Sequence, residues 1–234
     1  MDLTRLDAAV VGCRACPRLV GWREEVAATR RRSYAHEEYW GRPVPGFGDQ
    51  RAPLLVLGLA PAAHGGNRTG RVFTGDRSGD WLFAALHRAG LADRPASVHR
   101  DDGLRLTGCR VTAAVRCAPP ANRPTPQERD TCGRWLDLEI AALAPTLRCV
   151  VALGGFAWEA GLRSLDRLGR PVPRPRPRFA HGAEVRIPAA SGGSGHALTV
   201  VGCYHVSQQN TFTGRLTEAM LDDVFRSAVA LAAG

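Results

Sequence analysis

LLVLGLAPAAHGGNRTGRVFTGD, residues 54–76, decides how the chain is read. Leu54 to Leu57 form an unbroken apolar run, the pattern of a strand buried on both faces. The stretch from Gly58 to Asp76 holds five glycines and His64, and no acidic residue before Asp76 itself. A helical pattern follows from about Ser78 to Ala89. Strand, glycine-rich loop and helix in that order form the unit of a parallel α/β sheet.

Three more such units follow. A strand over 108–115 leads to a helix over 125–143, with Pro126 suited to its first turn. A strand over 148–154 leads to a helix over 156–168, and a strand over 197–205 to a helix over 214–232. Four units predict a three-layer α/β/α fold around a four-stranded, mostly parallel sheet. Two helices are expected before it, over 1–11 and 18–33. The tract RPVPRPRPRFAHG, then EVRIP and SGGSG, reads as a surface insertion over 170–196 with one short strand. It is either a variable loop or a basic arm. With 234 residues and 44% hydrophobic content, residues 1–234 are expected to form a single domain.

In open parallel sheets, ligands bind at the carboxyl ends of the strands. The loops at 58–76, 117–125 and 205–213 all fall at that edge. The net charge is +9 and every basic residue among the 31 is Arg. Genomic base composition accounts for the missing lysine. The positive excess suits a polyanion such as nucleic acid, and Arg makes bidentate contacts to phosphate. No apolar run is long enough to cross a membrane, and the N-terminus has no basic-then-apolar leader, so a cytoplasmic monomer is expected.

Seven cysteines without a secretion signal favour metal or cluster ligation over disulfides. Cys13 and Cys16 form C-x2-C, and Cys117 and Cys132 make a second pair. Cys109, Cys149 and Cys203 sit in apolar strands and read as core. Four thiolates hold either zinc or an iron–sulfur cluster, and the spacing does not choose between them.

GLAPAAHGGNRTGRVFTGD, VRCAPPANRPTP (115–126), HVSQQNTFTGRLT (205–217) and the four cysteines together resemble the family 5 uracil-DNA glycosylases over nearly the whole chain. The resemblance implies an α/β/α fold and a 4Fe-4S cluster on Cys13, Cys16, Cys117 and Cys132, with residues 1–50 as an N-terminal cluster-binding segment. It implies hydrolysis of the N-glycosidic bond of uracil, hypoxanthine and modified uracils in DNA, leaving an abasic site for base-excision repair. The target nucleotide must first be flipped from the stack.

His205, in HVS where related glycosylases carry HPS, is the candidate donor to the base oxygen as charge develops there. Asp76 is the second catalytic candidate, either orienting water or capping a helix. Ala60 stands where family 1 enzymes carry an acidic residue, and Ala113 where family 4 relatives carry a base-reading amide. Both differences are typical of family 5. Phe73 matches the ring that stacks on the flipped base. Gly58, Ala60, His64, Asn67 and Asn122 are expected at the substrate, though Asn also favours turns beside Pro. Arg68, Arg71, Gln208, Gln209, Asn210 and Arg215 are expected at the DNA, with one residue of the 205–217 loop entering the duplex.

Overall fold

The computed structural model describes residues 2–190 and 196–234. The SGGSG part of the expected insertion therefore lies outside the described residues. Strands β1 (Phe47–Gly48), β2 (Leu54–Gly58), β3 (Cys109–Ala113), β4 (Cys149–Leu153), β5 (Glu184–Ile187) and β6 (Leu198–Cys203) form one sheet in the order β1-β3-β2-β4-β6-β5. The central four are parallel and are the four read from the sequence. The four-stranded expectation is corrected to six, because β1 and β5 add antiparallel edges. β1 has two residues and no periodicity to reveal it.

Alternate residues of the central strands feed two apolar clusters. Leu54, Val56, Val111, Val151 and Val201 join α4 (Arg77–Arg88) and α8 (Glu218–Ala233) through Leu82, Phe83, Leu221 and Phe225. Leu55, Leu57, Val150 and Val200 join α1 (Leu3–Val11), α5 (Pro126–Leu143) and α6 (Gly155–Arg167) through Leu6, Ile140 and Trp158. A strand period of two against a helix period of 3.6 makes this division possible. Cys109, Cys149 and Cys203 lie in the first cluster, as core residues.

Helix ends follow their caps. Asp2 accepts from the Arg5 amide at 2.8 Å to open α1. Thr125 and Glu128 form a reciprocal capping box at the start of α5, with Pro126 at its first position. α2 runs Pro17–Thr29, shorter than the expected 18–33, and α3 (Gly66–Thr69) is a single turn inside the glycine loop. Short α7 (Gln208–Phe212) stands before α8, so the last helix starts at Glu218 and not near Gly214.

A charge network runs beneath β3. Glu139 of α5, with no exposed surface, takes Arg110 at 2.5 Å, Thr112 at 2.8 Å and the Arg116 guanidinium. Arg110 also reaches Asp7 of α1 at 2.7 Å. Buried charges persist only when paired and hydrogen-bonded, and here each carboxylate faces guanidinium.

The insertion is not a free surface arm. The Trp158 indole donates to the Pro177 carbonyl at 2.9 Å, the Gly182 amide donates to the Gly202 carbonyl at 2.8 Å, and the Gly202 amide donates to the Ala183 carbonyl at 2.8 Å. Gly202 is required there, since a Cβ would collide with the Ala180 carbonyl. Within 170–187, Arg170, Val172 and Ile187 are buried while half of the positions stay exposed, and the one short strand expected there is β5.

Candidate active site

The loops after β2 and β6 meet at the carboxyl edge of the sheet. The Phe73 and His205 rings stand 6.0 Å apart between centroids, tilted by 38°. Phe73 is buried and holds φ at 53°, an unusual value for a bulky residue. Two glycines accommodate it. A Cβ on Gly58 would lie 2.5 Å from the Phe73 ring, and one on Gly79 would collide with the Phe73 carbonyl. Gly58 thus serves the site by making room for Phe73.

His205 caps β6. Its backbone carbonyl accepts from the Asn210 side-chain amide at 2.8 Å, which ties down the loop. Among the described residues its ring has no hydrogen-bond partner, and it lines a cleft of about 260 Å³ with Leu59, Phe156, Phe179, Tyr204 and Arg215. Burial lowers its pKa to about 4, so the ring is neutral near pH 7. A neutral imidazole offers one N–H donor without a charge to be dispersed, which suits an anion forming on a leaving base.

Asp76 is the N-cap of α4, accepting from the Gly79 amide at 3.0 Å. Its other oxygen lies against Gly65, where a Cβ would collide with it. Burial raises its pKa from the usual carboxylate value, against the helix amides that lower it. One oxygen is therefore committed to the helix, and the other borders the glycine loop next to His64.

The remaining expected residues divide sharply. Asn67 is 0% exposed and donates to the Arg23 carbonyl at 3.2 Å, with its own Oδ1 unpartnered. The His64 Nδ1 pairs with the Tyr39 hydroxyl at 3.1 Å, and its pKa is lowered by burial and then by Arg31 and Arg68. Arg68 and Arg71 are 8% and 3% exposed. Arg68 pairs with Glu37 and with the His64 and Gly75 carbonyls. Arg71 pairs with Asp102 and Ser97, each at 2.8 Å. Both guanidiniums brace the loop from inside. Ala60 packs beside the cysteines, not in the cleft. Asn122 is exposed, with φ at 54° in a short 3-10 turn, so the turn chemistry expected beside Pro is present. Gln208 and Gln209 are exposed, and Arg215 lies 4.6 Å over the Tyr204 ring.

Sequence reasoning missed Phe179, His181 and Tyr204. His181 stacks on Tyr204 at 4.9 Å and accepts its amide at 3.1 Å, while Phe179 enters the cleft. The signal was an aromatic and a histidine together, FAH, closing an otherwise Pro/Arg tract.

Cys13, Cys16, Cys117 and Cys132 line one cavity with Leu19, Val115 and Trp135. Donors are aimed at the sulfurs: Arg23 Nη1 at 2.9 Å from Cys117, the Arg116 amide at 3.3 Å from Cys132, and Arg134 at 3.5 Å from Cys13. Burial pushes Cys117 up to about 11 and Cys132 up to about 12. Among the described residues, no three His, Cys, Asp or Glu side chains are gathered closely enough to hold a metal ion as they stand. The donor set fits thiolates all the same, because N–H groups directed at sulfur favour the charged form a metal requires.

Residues 45–228 match the model of the uracil DNA glycosylase superfamily. The chain belongs to this superfamily, as the parallel sheet and the meeting of Phe73 with His205 at its carboxyl edge lead one to expect. It is similar to the type-5 uracil-DNA glycosylase of Mycobacterium tuberculosis, at 57% identity over 99% of this chain and 82% of that protein. Type-5 uracil-DNA glycosylases of Thermus thermophilus (50%, over 99% of both chains) and Pyrobaculum aerophilum (48%, over 94% and 89%) are also similar. Among the described residues, no helix is long and apolar enough to cross a membrane.

Proposed function

We propose that this chain is a monofunctional type-5 uracil-DNA glycosylase that excises uracil from DNA in base-excision repair. The observation that carries the reading is the approach of Phe73 to His205 at the sheet edge, with Asp76 at the neighbouring loop. Phe73 stacks on the flipped base. The N-glycosidic bond breaks with its electron pair passing to the base, and the neutral His205 ring donates to the base oxygen where charge collects. Water bonds to the sugar carbon, and the proton it gives up ends on the departing base anion. Asp76, through the oxygen not spent on α4, orients that water or stabilises the cationic sugar.

Few groups read the base edge, which supports a pocket that also admits hypoxanthine and modified uracils. Cys13, Cys16, Cys117 and Cys132 would hold a 4Fe-4S cluster, linking the α1–α2 junction, the loop after β3, and α5. With every metal position closed by a thiolate, such a cluster supplies stability and no reacting site. The same reading takes the chain as one three-layer domain, acting as a cytoplasmic monomer. The two apolar clusters on alternate strand residues support the layers.

The test is base release from labelled duplexes carrying uracil or hypoxanthine. Release of uracil is expected. Release of neither base would return the chain to a non-catalytic DNA-binding protein. For the cluster, Cys117→Ser is expected to lose iron and melt earlier, and a stable, iron-free wild type would overturn it.

A further inference from the structure

The run Arg30-Arg31-Arg32 leaves α2 and turns across the surface beside the glycine loop. All three residues are exposed. Among the described residues none of them has a carboxylate partner within ion-pair distance, although most arginines of this chain are paired. Arg30 reaches only the Ala35 carbonyl, at 3.0 Å. Glu37 follows close by but is taken by Arg68, and Glu24 before the run is taken by Arg14.

Two bonds tie the run to the site. The Arg31 amide donates to the Tyr39 hydroxyl at 3.3 Å, and that hydroxyl pairs with His64 Nδ1 at 3.1 Å. His64 precedes Gly65, against which the free oxygen of Asp76 rests. Arg30 holds φ at 56°, a left-handed value that turns the chain sharply out of α2. A cationic ridge is thus fixed, through Tyr39, at the edge of the loop that holds the reacting nucleotide.

We propose that Arg30, Arg31 and Arg32 form a docking ridge for the phosphodiester backbone of duplex DNA flanking the damaged nucleotide. Its complement is a regular line of negative charge, and guanidinium is the group best matched to phosphate oxygens. The ridge is separate from the buried Arg68 and Arg71, whose guanidiniums are already paired with Glu37 and Asp102. It rests on the glycosylase reading for its position next to the flipped base.

The experiment measures the affinity of the full chain for a uracil-containing duplex against sodium chloride concentration, at a temperature where cleavage is slow. Wild type is compared with R30Q/R31Q/R32Q and R30K/R31K/R32K. Each phosphate contact contributes about 0.9 to the slope of log affinity against log salt. The glutamine variant is expected to lower that slope by about 2 to 3, and the lysine variant to retain it. An unchanged slope in the glutamine variant overturns the ridge and makes the run a solvated surface. If the glutamine variant lowers the slope but wild type releases no uracil, the glycosylase reading fails and the run is left as a phosphate-binding surface with no damaged nucleotide beside it.

Discussion

The two loops that face each other across the sheet edge are built in opposite ways. Between β2 and α4, the polar side chains are spent on the protein: Arg68 on Glu37, Arg71 on Asp102, Asn67 on the Arg23 carbonyl, and Thr74 on Ser97 at 2.7 Å. After β6 the ties are local: Asn210 donates to the His205 carbonyl, and Thr213 to the Gln209 carbonyl at 2.6 Å. Gln208 and Gln209 are exposed, and Phe212 keeps 69% of its surface in solvent. The first loop is a wall set before substrate arrives, which suits stabilisation of developing charge without reorganisation. The second sets the His205 ring, the proposed donor, on a rim where Gln208, Gln209 and Phe212 face solvent.

The largest effect should come from the fixed donor. His205→Ala is expected to lower single-turnover uracil release by about 10² to 10³. Duplex binding should survive, and a fall of less than about tenfold would break the contrast between donor and rim. Next is Asp76, where the wall's helix cap and the proposed chemistry coincide. Asp76→Asn keeps an N-cap of similar quality but removes the charge. Release should fall by about 10² while the melting temperature holds. Equal release in wild type and Asp76→Asn, with loss only in a destabilised Asp76→Ala, would make the residue a cap alone.

A third effect is in pH. The folded His205 pKa of about 4 lies below the unfolded value of about 6.5, so the unfolded chain binds the proton first on acidification. Its contribution to stability is complete above pH 6.5 and is lost as pH falls toward 4. Comparing wild type with His205→Gln by denaturant titration should show a relative loss of about 2 kcal/mol over that window, allowing for the ring's partial access to solvent. No difference would mean that the ring is not held neutral by burial. Smallest is Phe212→Ser on the rim, which should shift stability by less than about 0.5 kcal/mol. A larger change would show that the rim is packed in the free protein.

The contrast also marks what the sequence disclosed. The four central strands were legible because each is an apolar run closed by Gly or a polar loop, and the caps at Asp76 and Thr125 bounded their helices. The pairing of Phe73 with His205 was legible only as two motifs ending on the same edge. What escaped was the fate of the arginines. Arg68 and Arg71 read as DNA contacts, and nothing marked Arg110 and Arg116, yet all four are buried, because their carboxylates lie far away in the chain, at Glu37, Asp102 and Glu139. Spacing carries no trace of such pairs. The role of Phe179 was hidden for a related reason. A Pro/Arg tract looks unanchored until Trp158 and Gly202 are seen to fasten it.

The network around Glu139 has a consequence for alkaline conditions. Burial opposes its charge, but Arg116 and Arg110 hold its carboxyl down at about 2, well below its usual value of 4.5. That stabilisation is present above pH 4.5 and is lost as pH falls toward 2. Guanidinium does not discharge at any pH a protein survives. A lysine in the place of Arg110 would surrender its proton on the basic side and leave a lone anion in the interior. With arginine on both sides, the charged centre of this protein has an acid limit and no basic one.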